Sequence, residues 1–151
     1  MSNSDGEDFQ RLAVELQMLE GTAEAMQQRL SFVNAALREL TYTRMTLEGV
    51  EKEQSDASLL VPIGGSSFIM AKLEATDKII VGMGAGVSIE KTVVEAKEIV
   101  QSRISELEKS RVEMQQQLVQ IVNKIQEDRT LMNEMLTKRG EAEKKTDVPE
   151  A

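Results

Sequence analysis

The chain contains neither cysteine nor histidine in its 151 residues. The first gap excludes a disulfide framework, a thiolate metal site and a cysteine nucleophile. The second removes the commonest general base, the commonest transition-metal ligand and every triad built on imidazole. Tryptophan is missing, aromatics make up 3%, and there are only two prolines, so the rings that fill layered cores are scarce. Basic residues are outnumbered, 18 against 26 acidic, for a net charge of −8. A field of that sign repels phosphate backbones and anionic lipid alike, so neither nucleic acid nor membrane is expected as a partner. The longest stretch free of charge lies in the glycine-rich middle and is too short to span a bilayer. Asp5, Glu7 and Asp8 make the beginning acidic where a secretory signal would be basic. These gaps point to a cytoplasmic protein that is not an enzyme and uses no metal or cofactor.

What is present is helix. Ala, Leu, Met, Glu, Lys, Gln and Arg dominate both ends of the chain, the makeup of long helices rather than a globular core. Apolar residues recur at Phe9, Leu12, Leu16, Leu19, Ala23, Met26, Leu30, Val33, Leu37 and Leu40, skip Arg44 and resume at Leu47. The alternating steps of three and four make a heptad seam. A second seam runs through Val93, Val100, Ile104, Leu107, Met114, Leu118, Ile121, Ile125, Met132 and Met135, with Lys97, Arg111 and Asp128 in seam slots. Each stripe must bury itself against a partner helix, and the other stripe is the nearest one. The predicted organisation is a disordered start over 1–8, a coiled-coil helix over 9–48 and two β-hairpins serving oligomerisation over 49–92. A second coiled-coil helix follows over 93–138, then a disordered tail over 139–151. Each helix would be roughly 60 Å long at about 1.5 Å per residue, and the matching lengths favour an elongated antiparallel pair. Arg44 and Lys97 are read as side chains whose stems lie along the seam while their heads reach water or neighbouring glutamates, the alternative being a docking contact with a β-barrel at the arm root.

The middle differs in kind. Gly64, Gly65, Gly82, Gly84 and Gly86 cluster there with Pro62, and such punctuation marks turns. Short β-rich runs lie between them, at 59–63, 68–73, 79–83 and 87–89. Hairpins of this size are marginal alone in water. Leu59, Val61, Ile63, Ile69, Ala71, Leu73, Ile79 and Val81 would leave an apolar face and open edges uncovered. Strands from other subunits, closing a shared β-barrel, would cover both. The predicted fold class is therefore mainly α: a long antiparallel coiled-coil hairpin with two β-hairpins at its root that join an intersubunit barrel.

Catalytic motifs do not survive inspection. Gly82-Met83-Gly84-Ala85-Gly86 resembles the dinucleotide fingerprint, but its third glycine falls one place early and no βαβ unit surrounds it. Glu15, Glu20, Glu24, Glu39, Glu106 and Glu108 could be imagined as acid and base pairs. A solvated helix face explains them, because a two-stranded coiled coil offers no cavity to perturb a pKa.

Leu60-Val61-Pro62-Ile63-Gly64, then Ser67-Phe68-Ile69-Met70-Ala71-Lys72-Leu73, then Val81-Gly82-Met83-Gly84-Ala85-Gly86-Val87-Ser88-Ile89-Glu90-Lys91 resemble the linker of the prefoldin alpha class. The order helix, two hairpins, helix is similar along the whole chain, although the arms match only as heptads. The resemblance implies a hexamer of two alpha-type and four beta-type subunits with a double-barrel platform and six coiled-coil arms. It further implies a chaperone that holds unfolded client proteins between arm tips without ATP and passes them to a group II chaperonin.

An antiparallel pair brings the two ends of the chain together. Phe9, Leu12, Leu16 and Leu19 then meet Leu131, Met132, Met135 and Leu136, most of them seam residues accounted for by burial between the helices. Val14, Met18, Leu131 and Leu136 fall outside the seam, and helix ends open readily. The predicted client-binding residues are Phe9, Leu12, Val14, Leu16, Leu131, Met132, Met135 and Leu136. Methionine suits such a surface because its flexible thioether adapts to undefined shapes. The rival reading is a structural coiled-coil scaffold subunit that binds one folded partner. A scaffold would ignore unrelated denatured proteins, whereas a holdase would delay the aggregation of many.

Overall fold

The computed structural model describes residues 2–146. The order of elements is α1 (Ser2–Lys52), β1 (Ser58–Gly64), β2 (Ser67–Lys72), β3 (Lys78–Gly84), β4 (Val87–Thr92) and α2 (Val93–Thr146). This is the predicted architecture of two long helices flanking two small antiparallel hairpins. The helices run past their expected bounds, because residues 2–8 and 139–146 are helical where disorder was expected. Asp5 in the first turn of α1 complements the positive end of the helix dipole, and neither helix contains a proline to stop it. Of the expected disordered segments, Met1 and residues 147–151 lie outside the described residues.

The chain divides into two compact units, one of residues 1–33 with 110–151 and one of residues 34–109. In the first, the terminal unit, Leu12, Ala23, Leu30 and Ile125 are buried, together with Asp128. Arg129 donates to Glu20 at 2.6 Å, and Lys124 pairs with Glu15 at 3.9 Å. The remaining seam positions there are half-buried, apart from Arg111 none of them charged. The apolar heptads therefore bury as predicted, each stripe taking the other's face.

In the second, the hairpin unit, Leu37 and Leu47 of α1 and Val93, Ala96, Val100 and Ile104 of α2 are buried. Two cross-helix bonds show the antiparallel sense. Arg44 donates to Gln101 at 3.0 Å, and Lys97 donates to Glu51 at 2.7 Å. Moving forward along α1 thus moves backward along α2. The two cations in seam slots keep their stems along the seam and send their heads to polar neighbours, as expected for long amphipathic side chains. Glu51 beside Lys97 holds that ammonium's pKa above the ordinary lysine value.

α2 begins on a reciprocal cap. The Glu95 carboxylate accepts from the Thr92 N–H at 3.0 Å, and the Glu95 N–H donates back to the Thr92 hydroxyl at 3.2 Å. The Thr-x-x-Glu spacing satisfies two donors that a helix start would leave free. Each hairpin is a separate two-stranded sheet. Gly65-Ser66 and Ala85-Gly86 form the loops, all four with positive φ, the geometry whose twist suits a tight hairpin. The register shifts at Gly64 and again at Gly84, each with φ of 102°. Such a bulge needs a residue without a side chain.

Candidate functional site

Apolar surface is left uncovered in both units, and part of it falls on the residues predicted to act. In the hairpin unit, Val61 pairs with Ile69 and Leu59 with Ala71, so Leu59, Val61, Ile69 and Ala71 share one face of the first hairpin. Leu59, Val61, Ile63 and Ile69 are exposed, while Ala71 and Leu73 are half-buried. Leu73 lies just past β2 and extends the pairing, its N–H donating to Ala57 O at 2.9 Å. On the second hairpin, Ile79 is half-buried and Val81 is already buried at 7%. Of the eight residues expected to meet neighbouring subunits, Val81 is thus the one covered by its own chain.

The second hairpin is also tied to a helix. Arg103 of α2 donates to Gly82 O at 2.7 Å and lies 3.9 Å from the Met83 sulfur. That tie anchors β3 at its bulge. The opposite face of this hairpin mixes polar groups, among them a Lys78–Glu90 pair at 2.9 Å, with Ile80, which is 78% exposed. Glu90 accordingly raises the Lys78 pKa.

On the first hairpin the corresponding face is more apolar. Leu60, Phe68 and Met70 occupy the face opposite Val61, with Pro62 paired to Phe68, and Met70 is 77% exposed. Sequence reasoning missed this second apolar face. The signal was the unbroken run Leu59-Leu60-Val61-Pro62-Ile63, since a strand with only one covered face alternates.

In the terminal unit, Asp5, Gly6 and Phe9 of α1 meet Met135, Leu136, Lys138, Arg139 and Ala142 of α2 around a pocket of about 480 Å³. The structure therefore brings together Phe9, Met135 and Leu136 among the predicted client residues. A shallower groove beside it runs over Val14, Met18 and Leu19. Val14 is 58% and Met18 69% exposed. Leu131 lies in another groove with Gln126, Glu127, Thr130 and Glu134. Leu16 and Met132 are half-buried in the seam, and Leu12 is buried there, out of reach while the helices are paired. The basic rim at Lys138 and Arg139 was not foreseen.

Among the described residues, no group of His, Cys, Asp or Glu is arranged to hold a metal ion, and no helix is long and apolar enough to cross a membrane.

Comparison with known proteins adds a family. Residues 19–138 match the family model described as prefoldin subunit. The chain is 37% identical over 112 residues to the prefoldin subunit alpha of Methanopyrus kandleri, covering 74% of this chain and 71% of that one. It is 30% identical over 124 residues to the prefoldin subunit alpha of Pyrococcus horikoshii, covering 82% and 84%. Among solved structures, a chain of the filamentous PFD from Methanocaldococcus jannaschii superposes with a TM-score of 0.64. That match has 22% identity and covers 74% of this chain and 92% of the other, so it speaks for the fold alone.

Proposed function

The chain belongs to the prefoldin family as an alpha-type, chaperone subunit, and we propose on that premise that it is a cytoplasmic ATP-independent holdase component. In this reading it binds unfolded polypeptides on the apolar surface of its terminal unit and hands them to a group II chaperonin. Its hairpins bind beta-type subunits, two alpha to four beta. The observation that carries the reading is the apolar surface that two paired helices leave uncovered beside Phe9, Val14, Met18, Leu131, Met135 and Leu136. A helical pair built only as a spacer has no need of it.

The physics of holding follows from that surface. Contact over a few hundred Å² is worth several kcal/mol at about 25 cal/mol per Å², before the cost of ordering the client. One subunit alone therefore grips weakly and lets go readily. Several such surfaces in one assembly raise the local concentration of each further contact, so a client is retained without any nucleotide-driven step. Met18 and Met135 adapt to clients of different shape because the thioether chain repacks at small cost.

The test is a chain with Phe9, Val14, Met135 and Leu136 replaced by serine, assembled with a beta-type subunit. The expected outcome is an intact complex that no longer delays aggregation of several unrelated denatured proteins. Undiminished protection by that complex would refute the placement of the site.

A further inference from the structure

Asp128 is the anomaly of the terminal unit. It occupies a seam slot, is only 1% exposed, and is buried where leucine or methionine would close the stripe. Its Oδ1 accepts from Lys124 Nζ at 2.6 Å, whereas Oδ2 is buried without a hydrogen-bond partner. Lys124 comes from the same helix, one turn earlier, so this pair does not tie α2 to α1. The ammonium is shared, since Glu15 of α1 stands 3.9 Å from it. A half-satisfied carboxylate in a helix seam weakens the pairing locally, because separation of the helices gives the oxygen back to water.

The facing helix is weak at the same level. Glu20 of α1 is joined to Arg129 of α2 at 2.6 Å, which sets Gly21 beside the Asp128 turn. A Cβ added at Gly21 would meet nothing within 4 Å. No close approach therefore requires glycine there, and its cost in a helix interior is uncompensated. The next residue, Thr22, donates its hydroxyl to Met18 O at 2.8 Å, a back-bond also made at Thr41, Thr43, Thr46, Thr130 and Thr137 that adds no stability to the turn beside Gly21. Softness in both helices at one level is more than a single tolerated substitution.

Resting on the holdase reading, we infer that Asp128 and Gly21 form a hinge at which the chain-end side of this unit opens to a client. The opening makes Leu12 reachable and widens access to Phe9, Leu16, Met132 and Met135, which the paired state leaves buried or half-buried. Ile125, Ala23 and Leu30, on the other side of the hinge, stay buried and hold the remainder of the pair.

The experiment is amide hydrogen exchange on the complete complex carrying Asp128→Leu, Gly21→Ala, or neither. Each substitution is expected to slow exchange by roughly tenfold in residues 5–20 and 129–142, with 23–33 and 110–125 unchanged. Both variants should also delay client aggregation less well than the unsubstituted complex. Unaltered exchange in both variants overturns the hinge. Slowed exchange with full protection of clients overturns its role in capture, leaving the holdase reading intact. An unsubstituted complex that protects no client refutes that reading itself, whatever the exchange data show. Should Asp128→Leu shift the helix pairing, seen as changed exchange at 23–33, Gly21→Ala decides alone.

Discussion

Replacing Ile69 with aspartate should dismantle the assembly while leaving the chain folded. Ile69 is 55% exposed on a two-stranded sheet whose own cover is slight, so the folded chain loses little when its side chain becomes polar. In a shared barrel the same side chain would be buried, a gain of about 1.5–3 kcal/mol for a residue of this size. An unpaired carboxylate in its place adds an effective desolvation cost of several kcal/mol. Together these exceed roughly 4 kcal/mol per contact, about a thousandfold in association. Val81 provides the contrast, since on the second hairpin it takes the place of Val61, the residue paired with Ile69, but is buried by its own chain. Val81→Asp should therefore unsettle the hairpin unit itself. Native mass of the co-expressed complex reads assembly, and circular dichroism with thermal melting reads the fold. A complex of unchanged mass carrying Ile69→Asp would refute the shared-barrel argument, as would loss of helix in that variant.

Ile104 is buried in the hairpin unit, and Ile104→Ala should cost about 2–5 kcal/mol by lost transfer energy plus cavity, measurable as a lowered denaturant midpoint at unchanged slope. Thr92→Ala removes the cap of α2 and should cost about 1 kcal/mol. The cap also sets a pH dependence. The Thr92 N–H, and after it Lys91, hold the Glu95 pKa below its ordinary value. The unfolded chain thus binds the proton more readily, so this stabilisation is complete above the ordinary glutamate range and fades as pH falls through the lower, folded value. Thermal midpoints recorded from neutral to acid pH should show a shallower decline in Glu95→Gln, which removes the titrating carboxylate, than in the unsubstituted chain; identical slopes would refute the role of the cap.

The heptads were the most legible part of this chain. Every seam slot read from Phe9 to Leu47 and from Val93 to Met135 is buried or half-buried, because a period of 3.5 residues leaves a helix only one face to hide. The strands were legible from their glycines, and each observed strand overlaps an expected run to within a few residues. Helix ends were not, since Gly140 and the polar start over 2–8 carry no strong stop signal and helices continue through them. The surfaces were legible in part. Phe9, Met135 and Leu136 line one pocket as the antiparallel pairing implied. The second apolar face of Leu60, Phe68 and Met70 was not legible, because the alternating residues Leu59, Val61 and Ile63 account for a single covered side and leave the other unassigned. The Arg103 tie to a carbonyl 21 residues earlier depends on how a hairpin folds back, which no local pattern encodes.

The two hairpins are near-copies of one backbone: Val61 opposite Ile69 recurs as Val81 opposite Ile89, with the same turn and the same bulge. One molecule therefore carries a matched pair that differs in side chains and surroundings but scarcely in geometry. Any probe attached at equivalent places, an isotope label or a spin label, is read against a built-in reference, and what differs between the twins measures how much the company a strand keeps matters beyond its shape.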